Sequence, residues 1–160
     1  MSSTLIIIDV KDLQKEINKL IKLRNSIFGI YVSLNKTHED VEKILKNSGV
    51  DTRKLFFIDC VTNERKEEDV LHVRPTDLDK LSYIINVYIK EIPGKKFLLI
   101  DALSTLLIYN GGNKVAQFIK SVTEYSAIKD VEFIALSPKT EGEDVLDKKI
   151  FNFFNEVKED

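Results

Sequence analysis

Five short apolar runs, each separated from the next by a helical pattern, set the tightest limit on what this chain can fold into. They are "TLIIID" (Thr4–Asp9), "IFGIYVSL" (Ile27–Leu34), "KLFFID" (Lys54–Asp59), "KFLLID" (Lys96–Asp101) and "VEFIALS" (Val131–Ser137). Short, β-branched or aromatic and apolar nearly throughout, they fit strands covered on both faces. Between them, Leu13, Ile17, Leu20 and Ile21 keep the spacing of one helix face. Val41, Ile44 and Leu45 mark a second helix, with Thr37 placed to cap it and Gly49 to stop it. Thr76, after Pro75, is placed to cap a third helix carrying Leu78, Leu81, Ile85, Tyr88 and Ile92. Val115, Phe118, Ile119 and Val122 mark a fourth, and Leu146, Ile150, Phe153 or Phe154, and Val157 a last. This alternation predicts an α/β three-layer sandwich, a mainly parallel five-stranded sheet between helices joined by right-handed crossovers.

The 160 residues suit a single domain over 1–160, large enough for a core without disulfide or metal staples. Cys60 is the only cysteine, which excludes an intrachain disulfide and a cysteine-based zinc cluster. A net charge of −2 with mixed signs is a poor footprint for nonspecific nucleic-acid binding. The first apolar run has no cationic segment before it and is too short for a signal-peptide core or a membrane span. A soluble cytoplasmic protein is therefore expected. Frequent Lys, Glu and Ile with scarce Gln, Trp and Cys suit a thermophile, as would a biased genome composition. The charge run Glu64–Asp69 reads as a solvated loop.

Ligands of open parallel sheets bind beyond the carboxyl ends of the strands. Those ends carry Asp9, Ser33, Asp59, Asp101 and Ser137 in chain order. For Asp9 and Asp59 the plain expectation is that each accepts backbone N–H bonds in the turn leaving its strand. His38 and His72 read as surface or half-buried residues, and Cys60 as a small packing residue. No metal-spaced histidine pair and no GxSxG elbow is present.

Two blocks carry a likeness to a known superfamily. "IYVSLNKTHEDVEKILKNSGVDTRKLFFIDCVT" (Ile30–Thr62) resembles the second strand, helix and third strand of RecA-like ATPases, particularly the KaiC-like and archaeal RadA-related branch. "KFLLIDALSTLLIYNGGNKVAQFIKSVTEYS" (Lys96–Ser126) resembles their Walker B strand and following helix, and "RPTDLDKLSYII" a proline-led helix start between those blocks. The resemblance covers most of the chain and implies the sheet order 3-2-4-5-1, leaving strand one at an exposed edge unless "MSS", a loop or a partner covers it. It aligns Asp101 with the aspartate that holds magnesium through water in active relatives.

The departures carry equal weight. Active members place G-x-x-x-x-G-K-[ST] directly after strand one, so that backbone N–H groups close around phosphate. Here that place reads "VKDLQKEINKL", without glycine and with Val10, Leu13, Asp9 and Asp12 on the approach. Lys11 and Lys15 without the amide nest read as surface residues. The family's catalytic glutamate, in a V-S-F-E-E-like pattern, corresponds to Val32, Ser33, Leu34, Asn35 and Lys36, and Asn35 cannot ionise to act as a base. "NGGNK" (Asn110–Lys114) and "PGKK" (Pro93–Lys96) read as turns rather than replacement phosphate loops. The resemblance thus implies a non-catalytic pseudo-ATPase with no cofactor. Its partner would be a protein, by self-association or by pairing with an ATPase relative. A second possibility is weak Mg-nucleotide binding through Asp101 and Ser137 without hydrolysis. A third is an atypical receiver-like signalling domain using Asp9, Asp59 and Lys139, although Val10 and Ala102 depart from that pattern.

Overall fold

The computed structural model describes residues 2–61, 70–139 and 148–159. In chain order the elements are β1 (Ser3–Asp9), α1 (Val10–Lys22), β2 (Phe28–Ser33), α2 (His38–Asn47), β3 (Leu55–Asp59) and β4 (Leu71–His72). There follow α3 (Leu78–Glu91), β5 (Lys96–Asp101), α4 (Leu103–Tyr109), α5 (Gly112–Ile128), β6 (Glu132–Lys139), α6 (Lys148–Phe151) and β7 (Glu156–Glu159). The run Glu64–Asp69 and Leu146 lie outside the described residues.

The strands form one sheet in the order β4-β3-β2-β5-β6-β1-β7, and every pairing in it is parallel. The five expected strands stand in the expected order, and a short strand is added at each edge. Helices α1 and α2 pack on one face through Leu13, Ile17, Ile21, Val41 and Leu45. Helices α3, α4, α5 and α6 cover the other through residues such as Leu81, Ile85, Leu106, Ile119 and Ile150. Each fully buried Leu or Ile side chain contributes about 1.5–3 kcal/mol of transfer free energy. Both faces of the central strands are covered, so those strands read as unbroken apolar runs.

Local chemistry sets the element boundaries. Thr37 Oγ1 accepts the Asp40 N–H at 3.2 Å, and Gly49 leaves α2 at φ 77°, a left-handed turn that glycine adopts without strain. Helix α3 starts one residue later than expected. Asp77 caps it, accepting the Lys80 N–H at 3.1 Å, because the turn closed by Asp77 N–H on the Arg74 carbonyl takes up Thr76. Gly29, opposite Phe97 in the β2–β5 register, leaves the space into which the Phe97 ring lies. Arg24 and Glu132 form a two-pronged ion pair at 2.7 and 2.8 Å between the end of α1 and the start of β6.

Two expectations are overturned. The last helix does not run to Val157, because α6 ends at Phe151 and the chain turns through bonds from Phe153 N–H to Ile150 and Phe154 N–H to Phe151. Phe154 then packs on Phe133, at 5.6 Å between ring centroids. Beyond it Val157 lies in β7, which pairs with Thr4–Ile7 of β1. For the same reason β1 is not an edge. The Asn155 side-chain oxygen accepts from Ser3 N–H at 2.9 Å and from Ser3 Oγ at 3.1 Å, fastening β7 to β1.

Candidate functional site: the carboxyl rim of the sheet

Across the rim β3, β2, β5 and β1 end in Asp59, Ser33, Asp101 and Asp9, while β6, between β5 and β1, runs two residues past Ser137 to Lys139, the register partner of Asp9. Ser33 is in register with both Asp59 and Asp101, so these three side chains share the face covered by α1 and α2. Two strand spacings separate Asp59 from Asp101, roughly 10 Å, too far to share one cation. Ser137 follows Leu136, the register partner of Asp101, and strand alternation turns it to the opposite face. The structure therefore does not bring Asp101 and Ser137 together.

Asp101 is 2% exposed. Its Oδ2 accepts the Tyr31 phenol at 2.7 Å, and its Oδ1 faces the Asn35 amide at 3.4 Å. Thr105, in the first turn of α4, donates to the Asn35 side-chain oxygen. Burial raises the Asp101 pKa above the ordinary carboxylate range, against the opposing pull of the Tyr31 hydroxyl, the Lys36 charge and the Asn35 amide. Burial also raises Tyr31 well above the usual phenol, with the Asp101 charge adding to it. Such a carboxyl is turned inward and resists ionisation. The Asp101–Ala102 peptide is cis.

Asp59 is fully buried and serves the turns around it, as expected, by accepting Val61 N–H at 2.8 Å and His38 N–H at 3.0 Å. It also holds the His38 ring, with Nδ1 2.7 Å from Oδ2. His38 is thus buried and paired, contrary to the surface or half-buried position expected. Its first-turn place on α2 aims it at the end of β3, which the helix packs beside. His72, half-buried as expected, stands opposite Asp59 in the register, its ring edge-on to His38 at 5.8 Å. Both its ring nitrogens are buried, and neither has a hydrogen-bond partner among the described residues. Burial next to Asp59 pushes the Cys60 thiol up to about 12, in keeping with a packing role. Ser33 donates to the Lys36 carbonyl. Among the described residues no group of three or more His, Cys, Asp and Glu side chains is arranged to hold a metal ion.

Asp9 departs from expectation. It is exposed, occupies the N-cap position of α1 and makes no side-chain cap bond. Strand β1 ends at Asp9 and α1 begins at Val10, so no residue stands between strand and helix. Val10, 62% exposed, and Asp12 form the first turn. Four strand spacings, roughly 19 Å, separate Asp9 from Asp59. A receiver-like site, which needs those acids together in a sheet of order 2-1-3-4-5, is excluded by this arrangement. "PGKK" is a turn leading into β5, as expected, whereas in "NGGNK" only Asn110 and Gly111 lie between α4 and α5, and Gly112–Lys114 are already the first turn of α5. Asn110 ends α4 and donates to the Pro75 carbonyl at 2.9 Å, while Gly94 has φ 78°.

Sequence reasoning missed Tyr31, Asn35 and Thr105 as the surroundings of Asp101, and Asp59 as the partner of His38. One signal was available for Tyr31. In "IYVS" it shares alternation parity with Ser33, and hence a face with any acid ending a neighbouring strand.

No protein-family model matches the sequence, and no curated protein does. Among solved structures, a KaiC-like protein from the hyperthermophilic archaeon Pyrococcus horikoshii OT3 superposes with a TM-score of 0.63, over 93% of this chain and 67% of that one, at 13% identity. The fold is RecA-like. No described helix is long and apolar enough to cross a membrane.

Proposed function

We propose that this chain is a non-catalytic RecA/KaiC-like domain, a pseudo-ATPase acting as a regulatory or protein-interaction module. The direct passage from Asp9 into α1 carries this reading. A phosphate loop works by wrapping successive backbone N–H groups around the β- and γ-phosphates, which takes several residues between strand and helix. With none, and with Asp9 and Asp12 at the junction, a triphosphate meets like charge and no cradle. Two further features agree. Asn35 stands where the resemblance would put the general base, and its amide faces Asp101. Asp101 itself is occupied by Tyr31 and is reluctant to ionise. The weak nucleotide-binding alternative loses support, since Asp101 and Ser137 lie on opposite faces.

Calorimetry and thermal-shift measurements with millimolar Mg-ATP, alongside a phosphate-release assay, test this. No heat, no shift and no turnover are expected. Saturable heat without turnover would favour the nucleotide-binding alternative. Turnover abolished by Asp101→Asn would overturn the proposal.

A further inference from the structure

We propose that β7 is a self-association edge, pairing antiparallel with β7 of a second copy across a two-fold axis at Val157. The inference rests on the interaction-module reading above and names its partner. Among the described residues strand β7 is the last in the sheet order, and all four of its residues are exposed. Its inner edge is satisfied by β1, and the Asn155–Ser3 bonds hold it in place. Its outer edge therefore presents ordered backbone donors and acceptors, the template that a further strand can use.

Charge selects both the occupant and the register. A second copy docked about a two-fold axis can overlap three or more residues of "EVKE" in only three antiparallel registers. Centring between Val157 and Lys158 sets Glu156 against Glu159 twice. Centring on Lys158 sets it against itself. Centring on Val157 sets Glu156 against the partner's Lys158 and Lys158 against the partner's Glu156, with the two valines facing across the axis. Opposite charges in directly opposed positions stabilise a strand pair and like charges destabilise it. Only the third register is complementary, and its symmetry makes the Glu156–Lys158 pair twice. Strand alternation places both ion pairs on the α1 side of the sheet and the valine contact on the other, giving one sheet continuous through both copies. A four-residue edge buries less than the roughly 1,200 Å² at the low end of stable interfaces, so the dimer is weak and salt-sensitive.

Sedimentation velocity from micromolar to millimolar concentration is expected to show a reversible monomer–dimer equilibrium. Lys158→Glu or Glu156→Lys alone would weaken it about tenfold or more, since each turns both symmetric pairs repulsive. The double exchange E156K/K158E should restore it to within about threefold. Circular dichroism confirms that these exposed substitutions leave the fold intact. A strict monomer at every concentration, a dimer indifferent to the single reversals, or a double exchange that fails to restore pairing would each overturn the proposal. The outcomes separate it from the reading it rests on. Nucleotide turnover by a charge-sensitive dimer defeats only the non-catalytic reading, and a monomer inert toward Mg-ATP defeats only this one.

Discussion

Asp101 is held where ionisation costs free energy. Its folded pKa is raised, chiefly by burial, so the folded state keeps this proton more firmly than the unfolded chain does. The resulting contribution to stability is fully present below the ordinary carboxyl range and is lost as pH rises through the raised folded value. Asparagine has the same shape and does not titrate. Its oxygen can accept from Tyr31, and its amide can donate to Asn35 once Asn35 turns its own oxygen inward and Thr105 accepts. Asp101→Asn is therefore expected to stabilise the protein at pH 7 on the order of 1 kcal/mol, a rise in Tm of about 2–4 °C for a domain of this size. The gain should vanish near pH 4. Thermal unfolding of both proteins across that range checks it, and a gain independent of pH would show that burial of the charge is not its source.

The helices and strands divide by how they obtain their stability. Helix α2 relies on its ends. Thr37→Ala removes the acceptor for the Asp40 N–H and should cost about 1 kcal/mol, read as a lower Tm and faster amide exchange in the first turn of α2. Thr37 and Gly49 were legible because capping and left-handed turns are local. So were the central strands, whose two covered faces leave apolar runs, and "KFLLID" matches β5 to the residue. Strands β4 and β7 were not. "LH" is too short for any period, and "EVKE", exposed throughout, has none of the apolarity by which strands are read; it is a strand because β1 is beside it. Helix α4 was hidden inside an apolar run whose two buried leucines, Leu103 and Leu106, are too few to show a helical repeat. At the rim, the positions of the strand-end acids could be read from the sequence. Their partners could not, because Tyr31 and Asp101 lie 70 residues apart and only the strand order makes them neighbours.

At the scale of the whole molecule, the described residues share one sheet with a core on each face. Heat and urea are expected to unfold it in one transition, with circular dichroism and tyrosine fluorescence coinciding. Separate midpoints would show that the β3–β4 and β1–β7 flanks melt independently. The clasp between Ser3 and Asn155 spans 152 residues. Strand β1 therefore leaves the ribosome long before either of its neighbours, β6 and β7, has been translated. Until those two strands are made, both hydrogen-bonding edges of β1 stay unpaired, and pairing over so long a separation is slow and open to aggregation.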